Sequence, residues 1–409
     1  MKPYGLLGEH LGHSFSPQIH KMIGGYDYGL FERAPDQLAE FFRTGEFAAI
    51  NVTIPYKKAV IPYCDALSQQ AKDIGSVNTI VRRPDGTLYG DNTDYYGFLY
   101  TIQHTGVEVA GKKCVLFGDG GVAPTIRTVL RDMNAGEVIT VSRKGENNFD
   151  NLHRHYDAQI LINATPVGTY PNNGVSVTSL EPFNCLEAAI DLTYNPHKTE
   201  FLRQAEEKGA AIQNGLRMLV AQAKRASELF LDTTFDDAVI ETVREKIEKE
   251  NMNIALIGMA GCGKTTTGTA LAKALGRKFI DCDDLIPQYA GGKSIQQIFA
   301  EDGEEAFRQI ETAVLRDVSK EGGLVIATGG GVVTRPENLP LLRQNSITIQ
   351  LFRPIEDLPD DGRPMSQKHG VAALYEKRKH LYDSWGQLQF ACTAGVDETV
   401  QMIREALGL

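Results

Sequence analysis

Along the chain, short apolar runs alternate with longer stretches whose apolar residues recur at helical spacing, and this strand-then-helix order predicts an α/β protein built on largely parallel sheets. Residues 5–8 form a first short strand. A helix opens at Ser16 and Pro17, because serine suits an N-cap and proline the first helical position. In AAINVTIP, alternation sets Ile50, Val52 and Ile54 on one face and Asn51 and Thr53 on the other, with Pro55 ending the strand. Residues 76–81 and 87–89 read as a hairpin about Pro84, Asp85 and Gly86. Further strands fall at 113–117, 137–141, 159–163 and 188–192, each with a loop at its carboxyl end. Beyond the charged stretch ETVREKIEKENMN a fresh unit begins. Its strands are 254–257, 278–282, 324–328 and 347–352, with helices over 266–275 and 294–320.

Candidate chemistry sits between these elements. GMAGCGKT, at 258–265, lies between a strand and a helix, the arrangement of a phosphate-binding P-loop. Gly258, Gly261 and Gly263 let the loop's backbone N–H groups, that of Cys262 included, close around phosphate oxygens. The helix N-terminus, entered at Thr266, adds positive potential. Lys264 would reach the outer phosphates, and Thr265 would offer its hydroxyl to Mg²⁺. The next strand ends in FIDCDDLI. Period-two spacing puts Asp281 and Asp283 on one side, one for the metal and one to bind or activate a hydroxyl, with Asp284 as the cap of the following helix. Strand 324–328 ends in no acid, which leaves the metal to Thr265 and Asp281, and it feeds Gly329, Gly330 and Gly331. Arg308 and Glu311 are spaced for an intrahelical ion pair. Arg363 and Arg378 are further cations suited to carboxylates and phosphates.

The earlier half holds a second glycine loop, GDGGVA, in which Gly118, Gly120, Gly121, Val122 and Ala123 fit G-x-G-x-x-A. At the end of the next strand, where an NAD enzyme places an acid, stand Ser142, Arg143 and Lys144. They suit a 2′-phosphate and favour NADP over NAD. Asp119 inside the loop must point away from a pyrophosphate. Ser14 and Ser16 at a helix mouth can bind a small carboxylate. The hairpin brings Asn78 and Asp94 to one end, where Asp94 meets Lys57 either as a proton-transfer pair or as a structural salt bridge.

Composition narrows the partners. A chain of 409 residues with 42% hydrophobic and 23% charged positions is ordinary for several globular domains. The net charge of -10 argues against nucleic acid and requires local cations for anionic ligands. No apolar run is long enough to span a membrane, and six cysteines without a CxxC pair fit a cytoplasmic enzyme with reduced thiols. Nothing in the sequence fixes an oligomeric state.

GHSFSPQIH, NVTIPYKK, VNT, GDNTDYYG, GDGGVA, NATPVG, DLTYNP and GLRMLVAQA, in this order, resemble shikimate dehydrogenase over residues 1–245. The resemblance implies that Ser14, Ser16, Thr53, Asn78, Asp94 and Gln222 hold the substrate, that Tyr194 lines the site, and that Lys57 and Asp94 are the catalytic pair. It places Thr165, Leu192 and Gly215 with the cofactor. It further implies a discontinuous substrate domain, 1–95 with 215–245, around an NADP domain at 96–214, followed by a linker at 246–251. The segments GMAGCGKT, FIDCD, EEAFRQIE, ATGGGVV, GRPM and LYEKRKHLY resemble shikimate kinase over residues 252–409. That resemblance implies Asp283 as base, Arg308, Gly330 and Arg378 as acceptor ligands, and Arg363 on a mobile lid. The combined expectation is a bifunctional enzyme, with NADPH reducing 3-dehydroshikimate to shikimate and MgATP then phosphorylating shikimate to shikimate 3-phosphate. Quinate or NAD in the first step, or a P-loop module that binds nucleotide without efficient transfer, are the alternatives. Only RPIEDLPDDG separates Phe352 from Arg363, a shorter approach to the lid than the family's.

Overall fold

The computed structural model describes residues 3–12, 14–358, 370–393 and 395–409. The first of its three sheets contains β1 (Tyr4–Gly8), β2 (Tyr28–Glu32), β3 (Ala49–Val52), β4 (Ala66–Leu67), β5 (Thr79–Arg82) and β6 (Leu88–Asp91), in the order β2-β1-β3-β5-β6-β4. β5 runs antiparallel to both β3 and β6, so the expected hairpin is present. β3 lies inside the sheet and all four of its residues are buried. Asn51 therefore does not face solvent; it accepts from the Tyr28 hydroxyl at 2.8 Å and donates to Thr79 Oγ1 at 3.0 Å. β3 ends at Val52 and the chain turns, which leaves Ile54 71% exposed rather than on the apolar face that alternation assigned it.

The second sheet is wholly parallel. It contains β7 (Lys113–Phe117), β8 (Glu137–Val141), β9 (Ile160–Asn163), β10 (Ala188–Asp191) and β11 (Ala211–Gln213), ordered β11-β10-β9-β7-β8. β7 has β8 on one side and β9 on the other, so the strand order diverges at its carboxyl end, where open α/β sheets bind ligands. Helix Gly215–Leu231, capped by the Asn214 side chain on Leu216 N at 3.1 Å, then returns to the first sheet. Its Ala226 and Phe230 pack with Leu6, Leu11 and Ala49. The layer around the first sheet is accordingly built from two separate stretches of the chain.

By compactness the chain divides into two units. One is Met1–Gly168, Val175–Tyr194 and Phe201–Lys246; the other is Thr169–Gly174, Asn195–Glu200 and Ile247–Leu409. Residues 246–251, expected as a linker, are the end of helix Ala238–Asn251. The charged residues of that stretch conceal an apolar stripe, since Ile240, Val243 and Ile247 are all buried at helical spacing.

The third sheet, also parallel, contains β12 (Asn253–Ile257), β13 (Phe279–Asp281), β14 (Val325–Ala327), β15 (Ser346–Phe352) and β16 (Leu388–Ala391), ordered β13-β14-β12-β15-β16. The helix expected over 294–320 is two helices, Ile295–Glu301 and Gly303–Val318. Gly303, the first residue of the second, has φ 85°, a conformation that breaks helical continuity and that glycine adopts without steric cost. Among the described residues, no helix is long and apolar enough to cross a membrane.

Candidate active sites

Two cavities of the first unit share the loop after β7. The smaller, about 380 Å³, is lined by Ser14, Ser16, Thr53, Lys57, Asn78, Asp94, Tyr194 and Gln222, so the expected substrate residues converge on one space. Lys57 Nζ donates to Asp94 Oδ2 at 2.5 Å, and the two side chains are only 20% and 11% exposed. A surface salt bridge would leave both in water. Here the pair sits in the cavity wall, where the ammonium can give up a proton while the carboxylate holds it in place. Ser16 is not the helix cap. Phe15 occupies that position, and Ser14 Oγ donates to Ser16 Oγ at 3.1 Å, leaving both hydroxyls at the cavity. Asn78 Oδ1 accepts from Thr93 N at 2.7 Å and the Thr79 hydroxyl at 3.0 Å, which fixes the side chain at the cavity wall. Gln222 is held by donation from Nε2 to Leu219 O at 2.8 Å. Burial raises the Tyr194 phenol pKa, so the ring presents a neutral hydroxyl.

The larger cavity, about 1100 Å³, is lined by Gly118, Gly120, Ser142, Arg143, Lys144 and Thr165. Asp119 lines this cavity too and does not point away from it; Arg127 Nη1 donates to its Oδ1 at 2.8 Å, which offsets its charge. Thr165 Oγ1 donates to Asn163 Oδ1 at 2.7 Å, which anchors the loop after β9. Gly121 and Ala123 complete the turn; Ala123 is fully buried and its N–H bonds Gly120 O at 3.0 Å. Val122, Leu192 and Gly215, expected with the cofactor, line the smaller cavity instead. The glycine loop thus presents Gly118 and Gly120 to one chamber and Val122 to the other.

In the second unit the P-loop joins β12 to helix Lys264–Leu275. Gly258, at φ 144°, passes so near β15 that a Cβ would lie 2.2 Å from Leu351 O. Gly261 and Gly263 also have positive φ, and Cys262 is fully buried beneath the loop. Lys264 is buried and donates to Gly258 O and Met259 O, both at 2.9 Å. Thr265 and Thr266 are exposed in the first turn. Thr265 Oγ1 donates to Asp281 Oδ2 at 2.7 Å, so the expected metal pair is adjacent. One hydroxyl and one carboxylate fit Mg²⁺, which ordinarily keeps several waters and takes phosphate oxygens as its other ligands. Asp281 Oδ1 also accepts Asp283 N at 3.1 Å. Asp281, not Asp284, is therefore the N-cap of helix Cys282–Tyr289.

Asp283, Arg308 and Glu311 gather around the glycines after β14. A Cβ on Gly329 would lie 2.2 Å from Glu311 Oε1 and 3.0 Å from Asp283 Oδ1. Arg308 Nη1 donates to Glu311 Oε2 at 2.7 Å, but with exposures of 6% and 2% this is no surface ion pair. Among the described residues, Asp283 Oδ1, Glu311 Oε1 and Arg308 Nε are buried without a hydrogen-bond partner. An unmatched buried polar group costs about 1–3 kcal/mol, so three together mark a place prepared for a polar ligand. Burial, with Asp281 and Glu311 nearby, raises the Asp283 pKa to about 6. Arg378, also buried, donates to Gly330 O at 3.1 Å, and the Tyr382 hydroxyl donates to the same carbonyl. Arg363 lies outside the described residues.

The family model of the shikimate dehydrogenase substrate binding domain matches residues 6–80. The shikimate dehydrogenase (NADP(+)) of Clostridium perfringens strain SM101 is 35% identical over 269 residues, covering 61% of this chain and 99% of that protein. The chain belongs to the shikimate dehydrogenase family. Among solved dehydrogenase structures, a chorismate mutase/shikimate 5-dehydrogenase fusion protein from Clostridium acetobutylicum is 36% identical with a TM-score of 0.58. That match covers 61% of this chain and 97% of that one. The shikimate 5-dehydrogenase of Thermus thermophilus, solved with NADP(H) and shikimate, is 31% identical with a TM-score of 0.54, covering 60% and 99%. This member carries more than the dehydrogenase, because residues 260–407 match the family model of shikimate kinase.

Sequence reasoning missed several residues of the dehydrogenase and of the kinase-like part. Asn51 lines the smaller cavity, and Phe149 and Val177 the larger. Alternation sets Asn51 on the same face as Thr53, yet only Thr53 is expected as a substrate ligand, and both line the cavity. Glu311 was visible only as half of an i, i+3 pair; its burial comes from the glycines packed against it.

Proposed function

We propose that this dehydrogenase reduces 3-dehydroshikimate to shikimate with NADPH, and that its second unit phosphorylates the shikimate 3-hydroxyl with MgATP. The observation that carries the first step is the Lys57–Asp94 pair in a chamber sharing the 118–123 loop with a larger, cation-lined chamber. NADPH supplies the hydride, and MgATP the phosphoryl group. Arg143 and Lys144 suit a 2′-phosphate, while Val122, Leu192 and Gly215 stand where the nicotinamide end would enter the smaller chamber. Ser14 and Ser16 hold the substrate carboxylate. Asn78, Thr53 and Gln222 hold ring hydroxyls, and Lys57 gives its proton to the alkoxide oxygen as the ketone is reduced. In the second unit Asp283 accepts the proton of the attacking hydroxyl. Arg308 and Arg378 hold the acceptor carboxylate beside Gly330, and Lys264 leaves its loop carbonyls for the outer phosphates.

Purified protein given shikimate and MgATP is expected to form ADP only when shikimate is present. Lys264→Ala should abolish this and leave the NADPH-linked step intact, and Lys57→Ala should do the reverse, lowering turnover far more than substrate affinity. ADP formation no greater than that of Lys264→Ala would leave a nucleotide-binding module in place of a kinase.

A further inference from the structure

Arg353 follows directly on β15 and stands against the P-loop. A Cβ on Gly263 would lie 3.5 Å from its Nη2 and 3.9 Å from its Cζ, with Thr267 Oγ1 at 3.7 Å from the same point. Gly263 is the N-cap of helix Lys264–Leu275, so the guanidinium lies beside the end of the helix that attracts anions. Among the described residues Arg353 has no hydrogen-bond or ion-pair partner, and its Nε is buried. The same corner holds Cys392, whose N–H bonds Phe352 O at 2.9 Å. Burial raises the Cys392 thiol pKa, while Thr267 and the Arg353 and Lys264 charges oppose that rise. A cation set beside phosphate-binding amides with no carboxylate among the described residues is poorly placed for stability, since a guanidinium is ordinarily paired when its N–H groups lose water.

Resting on the nucleotide reading above, we propose that Arg353 holds the nucleoside-proximal phosphate of the bound nucleotide. Lys264, Thr265 and Asp281 already serve the outer phosphates and the metal. Arg353 meets the loop at Gly263, whereas Asp283 lies beside Gly329, whose neighbour Gly330 faces Ala260 of the loop, so the two stand on different elements. The strand end gives Arg353 a rigid base, and its planar fork can grip a phosphate through two hydrogen bonds.

The test is binding of ATP and of AMP, measured by calorimetry on the full chain. Arg353→Ala is expected to weaken both by about tenfold or more, the loss of a charge-assisted hydrogen bond. AMP retains only the inner phosphate, so a loss confined to ATP would overturn the placement. Because Arg353→Ala also removes the packing of the side-chain stem, Arg353→Gln is measured beside it, and the thermal transition of each is recorded. Arg353→Gln should fold and still bind weakly; wild-type affinity for both nucleotides in that variant would sink the inference. Failure of the wild-type protein to bind ATP at all would remove the nucleotide reading itself.

Discussion

Asp283, the base proposed for phosphoryl transfer, shows at the residue scale how a buried carboxyl works against the fold that holds it. Burial beside Asp281 and Glu311 raises its pKa from 3.8 to about 6. The folded protein therefore binds this proton more tightly than the unfolded chain. Between pH ~4 and ~6 its contribution makes stability fall as pH rises, and above ~6 the full penalty remains. Asp283→Asn is expected to stabilise the second unit at neutral pH, on the order of 2–3 kcal/mol, while abolishing phosphoryl transfer. Denaturant unfolding at pH 4 and pH 8 checks the sign, because the gain should be present at pH 8 and nearly absent at pH 4. In the wild type, phosphoryl transfer should decline as pH falls through ~6 while binding of shikimate persists. Loss of binding over the same range would assign the titration to a substrate ligand.

At the scale of elements, the contact between helices Asp94–Gln103 and Gly215–Leu231 positions the dehydrogenase site. Each contributes to it, Asp94 from the first and Met218 and Gln222 from the second. Gly97 makes the approach close; a Cβ there would meet Met218 O at 2.8 Å and Gln222 N at 3.2 Å, both backbone atoms that cannot turn aside. Gly97→Ala is expected to cost about 1–3 kcal/mol and to raise the KM for the dehydrogenase substrate through a displaced Gln222. Steady-state kinetics of both reactions check this, since the kinase KM should not change. The main elements were legible in the sequence because their signals are local. Strands β7 and β8 fall where period and flanking glycines put them, and the hairpin brings Asp94 to Lys57 as its turn requires. What stayed hidden depends on neighbours distant in sequence: the covered second face of β3, the burial of Arg308 with Glu311, and the unpartnered Arg353. The Asp281 cap was hidden differently, because three acids in four residues are equally eligible by type and only backbone geometry selects one.

For the whole molecule, two compact units with separate sheets predict two unfolding events rather than one. NADP⁺ should shift one calorimetric transition and MgADP the other, each by about 2.7 kcal/mol when the ligand stands at a hundred times its Kd. A single transition moved by either ligand would show one cooperative block. The net charge of -10 fits this arrangement of local anion sites, because each ligand must be drawn in by a few named cations. The loop from Gly118 to Ala123 has a bearing on how such an enzyme can change over generations. One of its faces belongs to each chamber of the dehydrogenase, so a substitution in the loop that reshapes one chamber also alters the wall of the other. The two chambers are inherited together, and a lineage that changes this loop to suit one of them must find a second change in the other to restore what the first disturbed.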